Sequence, residues 1–199
     1  QPVIWLDVLD LPLMYYLEVS YHVNGDRQQV SQSVGNRAYA RPGIVPTPVF
    51  GRSGRRYPML RYPWADARAA LVSLAQDQPD LANVQVTYVN PESGEDAENV
   101  LGFHALMLRP GQTLRLPARS PATVYHVIEG AAHVVTDAQG FDLAPADTCC
   151  IPGYTATTLT NASAAEPAFL FVADESPLHR KLGVYEVRPD GTPVMPAQS

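Results

Sequence analysis

From Val84 to Val172 the pattern of apolar and polar side chains turns to short strand-like runs, beginning with alternation. Val84, Val86 and Tyr88 start the pattern. Leu101–Leu108, Leu114–Leu116, Val124–Ile128, Ala132–Thr136, Phe141–Leu143, Thr148–Ile151, Thr157–Leu159 and Phe169–Val172 continue it. Turn-forming pairs divide these runs at Asn90-Pro91, Pro110-Gly111, Glu129-Gly130, Asp137–Gly140 and Pro152-Gly153. Many short strands with regular turns predict an all-β sandwich or barrel. Ahead of them, Trp64, Ala67, Leu71 and Leu74 recur at helical spacing, so a helix is expected over Asp66–Ala75, with Asp66 favouring its N-terminus and Pro79 ending it. Pro177–Val187 reads as a short helix or turn followed by a last strand.

The first 23 residues are too apolar for a free tail. A strand near Val3–Asp7, a turn near Asp10–Pro12 and a helix from Leu13 are expected, all packing on another surface. Residues 24–63 lack periodicity, and Pro42, Pro46, Pro48, Pro58 and Pro63 break any helix there. So long a stretch without structure reads as a wrapping arm or a mobile loop. The expected organisation is an arm with a short helix over 1–83, packing on a preceding or partner domain, a barrel over 84–187 and a tail over 188–199.

Composition narrows the function classes. The net charge of −6 comes from 14 basic and 20 acidic residues, and Lys181 is the only lysine. Without a basic stripe, nucleic-acid binding is not expected. Arg52, Arg55, Arg56, Arg61 and Arg68 could form an anion site, but a solvated arm pairing with the excess acid is the favoured reading. No apolar run approaches the roughly 20 residues that cross a bilayer, so no membrane association is expected. Gln1 in place of an initiating Met suggests a processed chain or a fragment. Cys149 and Cys150 are adjacent, and neighbours on a strand point to opposite faces, so they read as reduced residues of a cytoplasmic protein.

A mononuclear iron or zinc site needs about three convergent His or carboxylate side chains. The five histidines are His22, His104, His126, His133 and His179, and no two share a His-x-His spacing. If Tyr125 points inward, His126 points outward. A site built from His104 and His133 stays open, against the plainer reading of hydrogen-bonded surface histidines. No phosphate loop, nucleophile elbow or triad is present.

Two blocks, Gly111–Gly130 and Ala146–Asn161, resemble the two motifs of a cupin barrel, the double-stranded β-helix or jelly roll. That resemblance places Pro117 and Arg119 where a His-x-His pair belongs, Thr123 where a Glu belongs and Thr157 near the last His. No metal is therefore expected in this chain. With Tyr125, these residues would outline a degenerate pocket, either filled by side chains, as favoured here, or open to a small anion at Arg119.

Further stretches resemble the C-terminal half of the gentisate 1,2-dioxygenase family, which includes salicylate and 1-hydroxy-2-naphthoate dioxygenases. They are Ile4–Leu13, Arg61-Tyr62-Pro63-Trp64 with Ala69-Ala70-Leu71, Tyr88–Pro91, Ala122–Gly130 and Lys181-Leu182-Gly183. The resemblance implies a bicupin enzyme that cleaves an aromatic hydroxy acid with O2, with Fe(II) in an N-terminal cupin missing from this chain. It gives Asp7 an acid's role at the substrate, Trp5 a place beside it and Asp10 a weaker claim. Three functions follow: the metal-free part of a ring-cleaving enzyme, inactive alone; a scaffold for a homo-oligomer; or a small-anion-binding cupin. The partner would be a second copy or a separate iron-binding cupin half.

Overall fold

Alternation along a strand buries every second side chain, and two sheets facing each other on those side chains enclose a core. A computed structural model describes residues 5–21, 24–25, 61–91, 93–137 and 139–189. The chain divides into two units, Gln1–Arg61 and Tyr62–Ser199.

In the first unit the described residues form one helix, α1 (Leu11–Tyr16). Proline in its first turn suits a position whose N–H has no partner in a helix. The helix starts earlier than Leu13, and residues 5–7 form no strand. Val3, Ile4 and nearly all of the 24–63 arm, with Arg52, Arg55 and Arg56, lie outside the described residues.

The second unit opens with α2 (Trp64–Asp77). Its five-stranded sheet contains β1 (Val84–Thr87), β2 (Gly102–Leu108), β10 (Ala168–Asp174), β5 (Thr123–Glu129) and β8 (Thr148–Ile151), in that order. Its four-stranded sheet contains β3 (Thr113–Leu116), β9 (Thr157–Thr160), β6 (Ala132–Val135) and β7 (Gly140–Leu143). A ribbon joins β4 (Ala118–Arg119) to β11 (Val187–Arg188), and α3 (Ser176–Lys181) precedes β11. Every pairing between these strands is antiparallel. Strands distant in sequence lie side by side, as in a double-stranded β-helix, and the fold is an all-β cupin.

Between the sheets Leu106, Leu108, Tyr125, Val127, Leu170 and Val172 meet Leu114, Val134, Leu143 and Leu159. The five-stranded sheet is also covered from outside. There Ala67 and Leu71 of α2 pack on Val84, Ala105, Met107 and Phe169. Burial on both faces explains why β2 and β10 read as nearly continuous apolar runs, without the alternation of an exposed sheet. Leu71 is fully buried, which contributes about 1.5–3 kcal/mol. Arg109 holds the far end of the helix by donating to the carbonyls of Leu81 at 2.6 Å and Gln78 at 2.9 Å, where a cation also suits the helix dipole.

Candidate functional site

Pro117 joins β3 to β4, and the ribbon carries Arg119 over the end of the barrel where β5 begins. The inward alternation of β5 aims Thr123 and Tyr125 at the same place, and β9 brings Thr157 from the opposite sheet. All five residues of the expected degenerate pocket thus line one cavity, with Leu116 and Ile151 among its other walls. Its interior is about 10 Å³, room for roughly a single water. A second, open cleft of about 470 Å³ adjoins it, sharing Leu116, Pro117 and Thr157, with Arg115 and Asp137 also on its walls.

Arg119 donates to Thr123 Oγ1 at 2.9 Å through Nη2, while its Nη1 stands 3.2 Å from Asp174 Oδ2. Asp174 ends β10, and its side chain is 1% exposed. Its Oδ1 accepts the backbone N–H of Ser176 at 2.9 Å. Its Oδ2 has the charge of Arg119 beside it but no aligned hydrogen bond, and it is 3.8 Å from His104 Nε2, too far for one. His104 in turn shares a 2.9 Å hydrogen bond with Thr87 through Nδ1. Burial opposes the charge on Asp174, but His104, Ser176 and Arg119 outweigh it and hold the carboxyl down at about pKa 2. Tyr125 is 3% exposed, and burial raises its phenol well above the usual range.

Asp174 itself goes unmarked in the sequence, although its neighbours Arg119, Thr123 and His104 are singled out there. The one signal for it is an acid ending the apolar run Ala168-Phe169-Leu170-Phe171-Val172-Ala173.

The other described histidines each pair with a nearby side chain. His126 points away from the core and bonds Thr148 Oγ1 at 2.8 Å, His133 bonds Asp142 at 2.6 Å, and His179 bonds Ser120 Oγ at 2.9 Å. His22 is outside the described residues. Cys149 packs against the core and burial pushes its thiol up to about 11, while Cys150 is exposed. Both thiols are free.

Iron does not fit the barrel end. Among the described residues no three His, Cys, Asp or Glu side chains converge. The one buried acid there already faces a guanidinium, which would repel a divalent ion.

Trp5, Asp7 and Asp10 belong to the first unit. Trp5 is 79% exposed and Asp7 is exposed. Asp10 precedes α1, and its carbonyl accepts from Leu13 and Met14. Among the described residues no helix is long and apolar enough to cross a membrane.

No family model matches the chain. It is 66% identical over 188 residues to a gentisate 1,2-dioxygenase of Ralstonia sp, a match covering 94% of this chain and 53% of that protein. It is 26% identical over 186 residues to a 5-aminosalicylate 1,2-dioxygenase of Comamonas sp, covering 92% of this chain and 49% of the relative. Among solved structures, salicylate 1,2-dioxygenase from Pseudoaminobacter salicylatoxidans, in adducts with gentisate, superposes with a TM-score of 0.71 at 22% identity. That match covers 92% of this chain and 52% of the other, and it bears on the fold. The chain spans about half the length of the curated relatives it matches.

Proposed function

We propose, from a chain homologous to the gentisate 1,2-dioxygenases along about half their length, that it forms the metal-free C-terminal cupin of a ring-cleaving dioxygenase and is inactive alone. The substrate class, by that kinship, is an aromatic acid with a hydroxyl beside the carboxylate. On this reading the Fe(II) that activates O2 sits in a separate, N-terminal half. The observation that carries the reading is the pairing of Arg119 with Asp174 at the barrel end, with space for little more than a water beside it.

The contribution of this chain is then mechanical and local. The barrel gives a rigid body, and the stretch around Trp5 and Asp7 supplies groups to the substrate. Asp7 is the acid in that proposal, with Trp5 beside it and Asp10 a weaker third. A small anion at Arg119 is disfavoured, because that guanidinium already serves Asp174 and Thr123.

The test begins with the purified chain loaded anaerobically with Fe(II). Elemental analysis should find almost no iron, and gentisate should give no ring-opened product. Adding the remaining half of the Ralstonia relative, fused or mixed, should produce turnover. Stoichiometric iron in the lone chain, or turnover by it, would sink the proposal.

A scaffold for oligomers is the second reading. It is favoured by Trp5, Leu9, Tyr15, Tyr16, Leu17 and Tyr21, all exposed in a described stretch without a buried residue. Light scattering of the lone chain separates the readings. A stable dimer abolished by Trp5→Ser with Tyr16→Ser would support the scaffold, whereas a monomer leaves the arm to the missing half.

A further inference from the structure

We infer that Arg119 is a built-in cation of this barrel. Its guanidinium does from within what a bound cation would otherwise do, tying the barrel end together across strands, and the place it fills accepts a guanidinium specifically. The inference rests on the metal-free reading above and adds what occupies the site instead.

Three observations converge. Asp174 is buried to 1%, and an ionised carboxylate there is costly unless a cation stays beside it. Arg119 is the fixed cation at 3.2 Å from it, and its second terminal nitrogen reaches Thr123 at 2.9 Å. One planar head therefore ties β4, in its separate two-stranded ribbon, to the neighbouring strands β5 and β10 of the five-stranded sheet. The surroundings are also closed around the pair. A side chain at Gly102 would stand 3.0 Å from Asp174 Oδ1 and 3.3 Å from His104 Nε2, so the neighbouring strand leaves no room beside the carboxylate.

The arrangement is suited to an organic cation. A guanidinium presents N–H donors in a fixed fork, which matches an acid and a hydroxyl set side by side, since Asp174 and Thr123 are cross-strand partners and each faces one terminal nitrogen of Arg119. A metal ion would find only one imidazole and one carboxylate, His104 and Asp174, beside a neutral hydroxyl, and among the described residues no three His, Cys, Asp or Glu side chains converge to hold it.

The test uses the whole chain with Arg119→Ala. Melting temperature should fall by about 10 °C relative to wild type, since the change strands a buried charge. Millimolar guanidinium chloride should restore at least half of that loss in the variant and none in wild type, with sodium chloride as the salt control. Should Arg119→Ala fail to fold, Arg119→Met with Asp174→Asn gives the second reading. That pair should melt higher than Asp174→Asn alone, because removing both charges leaves none stranded. An Arg119→Ala protein as stable as wild type, or one that guanidinium does not raise, would overturn the inference. So would a double variant no more stable than the single one. Visible Co(II) absorption from tight binding to Arg119→Ala would also overturn it, by revealing a latent metal site. Iron in the wild-type chain would instead strike at the metal-free reading, so the two failures are told apart.

Discussion

Trp64 donates its indole N–H to Glu129 at 2.7 Å across 65 positions of sequence, fastening α2 to the end of strand β5. Arg68, one helical turn on, reaches the other carboxylate oxygen of Glu129 at 3.0 Å and lies 4.8 Å over the ring of Phe169. The bond from Trp64, then the one from Arg68, lower the Glu129 pKa. The Arg68–Glu129 pair is well exposed and adds little by itself. Trp64→Phe keeps most of the apolar contact and deletes the donor. It should cost about 1 kcal/mol, read as a lower urea midpoint with an unchanged slope. No change in midpoint would mean that the helix is held by its apolar face alone.

Asp174 sets an acid limit. Its folded pKa of about 2 lies below the ordinary Asp value of about 3.9, so its charge favours folding above the ordinary value. That contribution fades as pH falls from about 4 through about 2. Asp174→Asn should cost roughly 3–5 kcal/mol at neutral pH, because Arg119 loses its partner. The gap between wild type and variant in denaturant midpoint should narrow as the solution is acidified below about pH 4. A gap that stays constant down to about pH 2 would show that the charge contributes nothing.

Gly130 turns β5 into β6 with φ of +78°, and a Cβ there would lie 2.9 Å from both Ala168 Cα and Pro167 O. Left-handed backbone and a clash with main chain act together at one position. Gly130→Ala should destabilise by at least about 1–3 kcal/mol, measured by thermal melting against wild type. Gly111, also at positive φ, has open space where its Cβ would go, so Gly111→Ala should carry only the conformational part, of order 1 kcal/mol.

Asp7 is exposed and belongs to the unit outside the barrel, so Asp7→Asn should leave the melting temperature of the lone chain within about 1–2 °C, on the order of a neutral surface change. In a protein carrying the remaining half of the relatives' length, the same change should lower kcat/KM for gentisate by about tenfold or more, the loss of one acid or charged contact to substrate. Unchanged kinetics would remove Asp7 from the proposed substrate groups.

The strands and most of the candidate cavity are legible in the sequence. Period-two alternation marks strands such as β5 and β9, where one face is buried, while β2 and β10 show instead as short continuous apolar runs because both their faces are covered. The two-residue β4 is too short to show any periodicity, although it delivers Arg119. Pro117, Arg119, Thr123, Tyr125 and Thr157 do converge on one cavity. Their partner Asp174 does not stand out, because it lies 55 residues beyond Arg119 in a run that looks wholly structural.

By itself the sequence determined an all-β sandwich or barrel, the opposite facing of Tyr125 and His126 and the lack of a His-x-His pair. These follow from local chemistry: strand period, alternation and residue identity at neighbouring positions. Only the tertiary structure decided that α2 covers the outer face of β2 and β10, and that the Arg119 guanidinium meets a buried carboxylate and a threonine hydroxyl. Those relationships join residues far apart in the chain. They depend on which strands become neighbours and on how much water is excluded between them, and no local pattern encodes either.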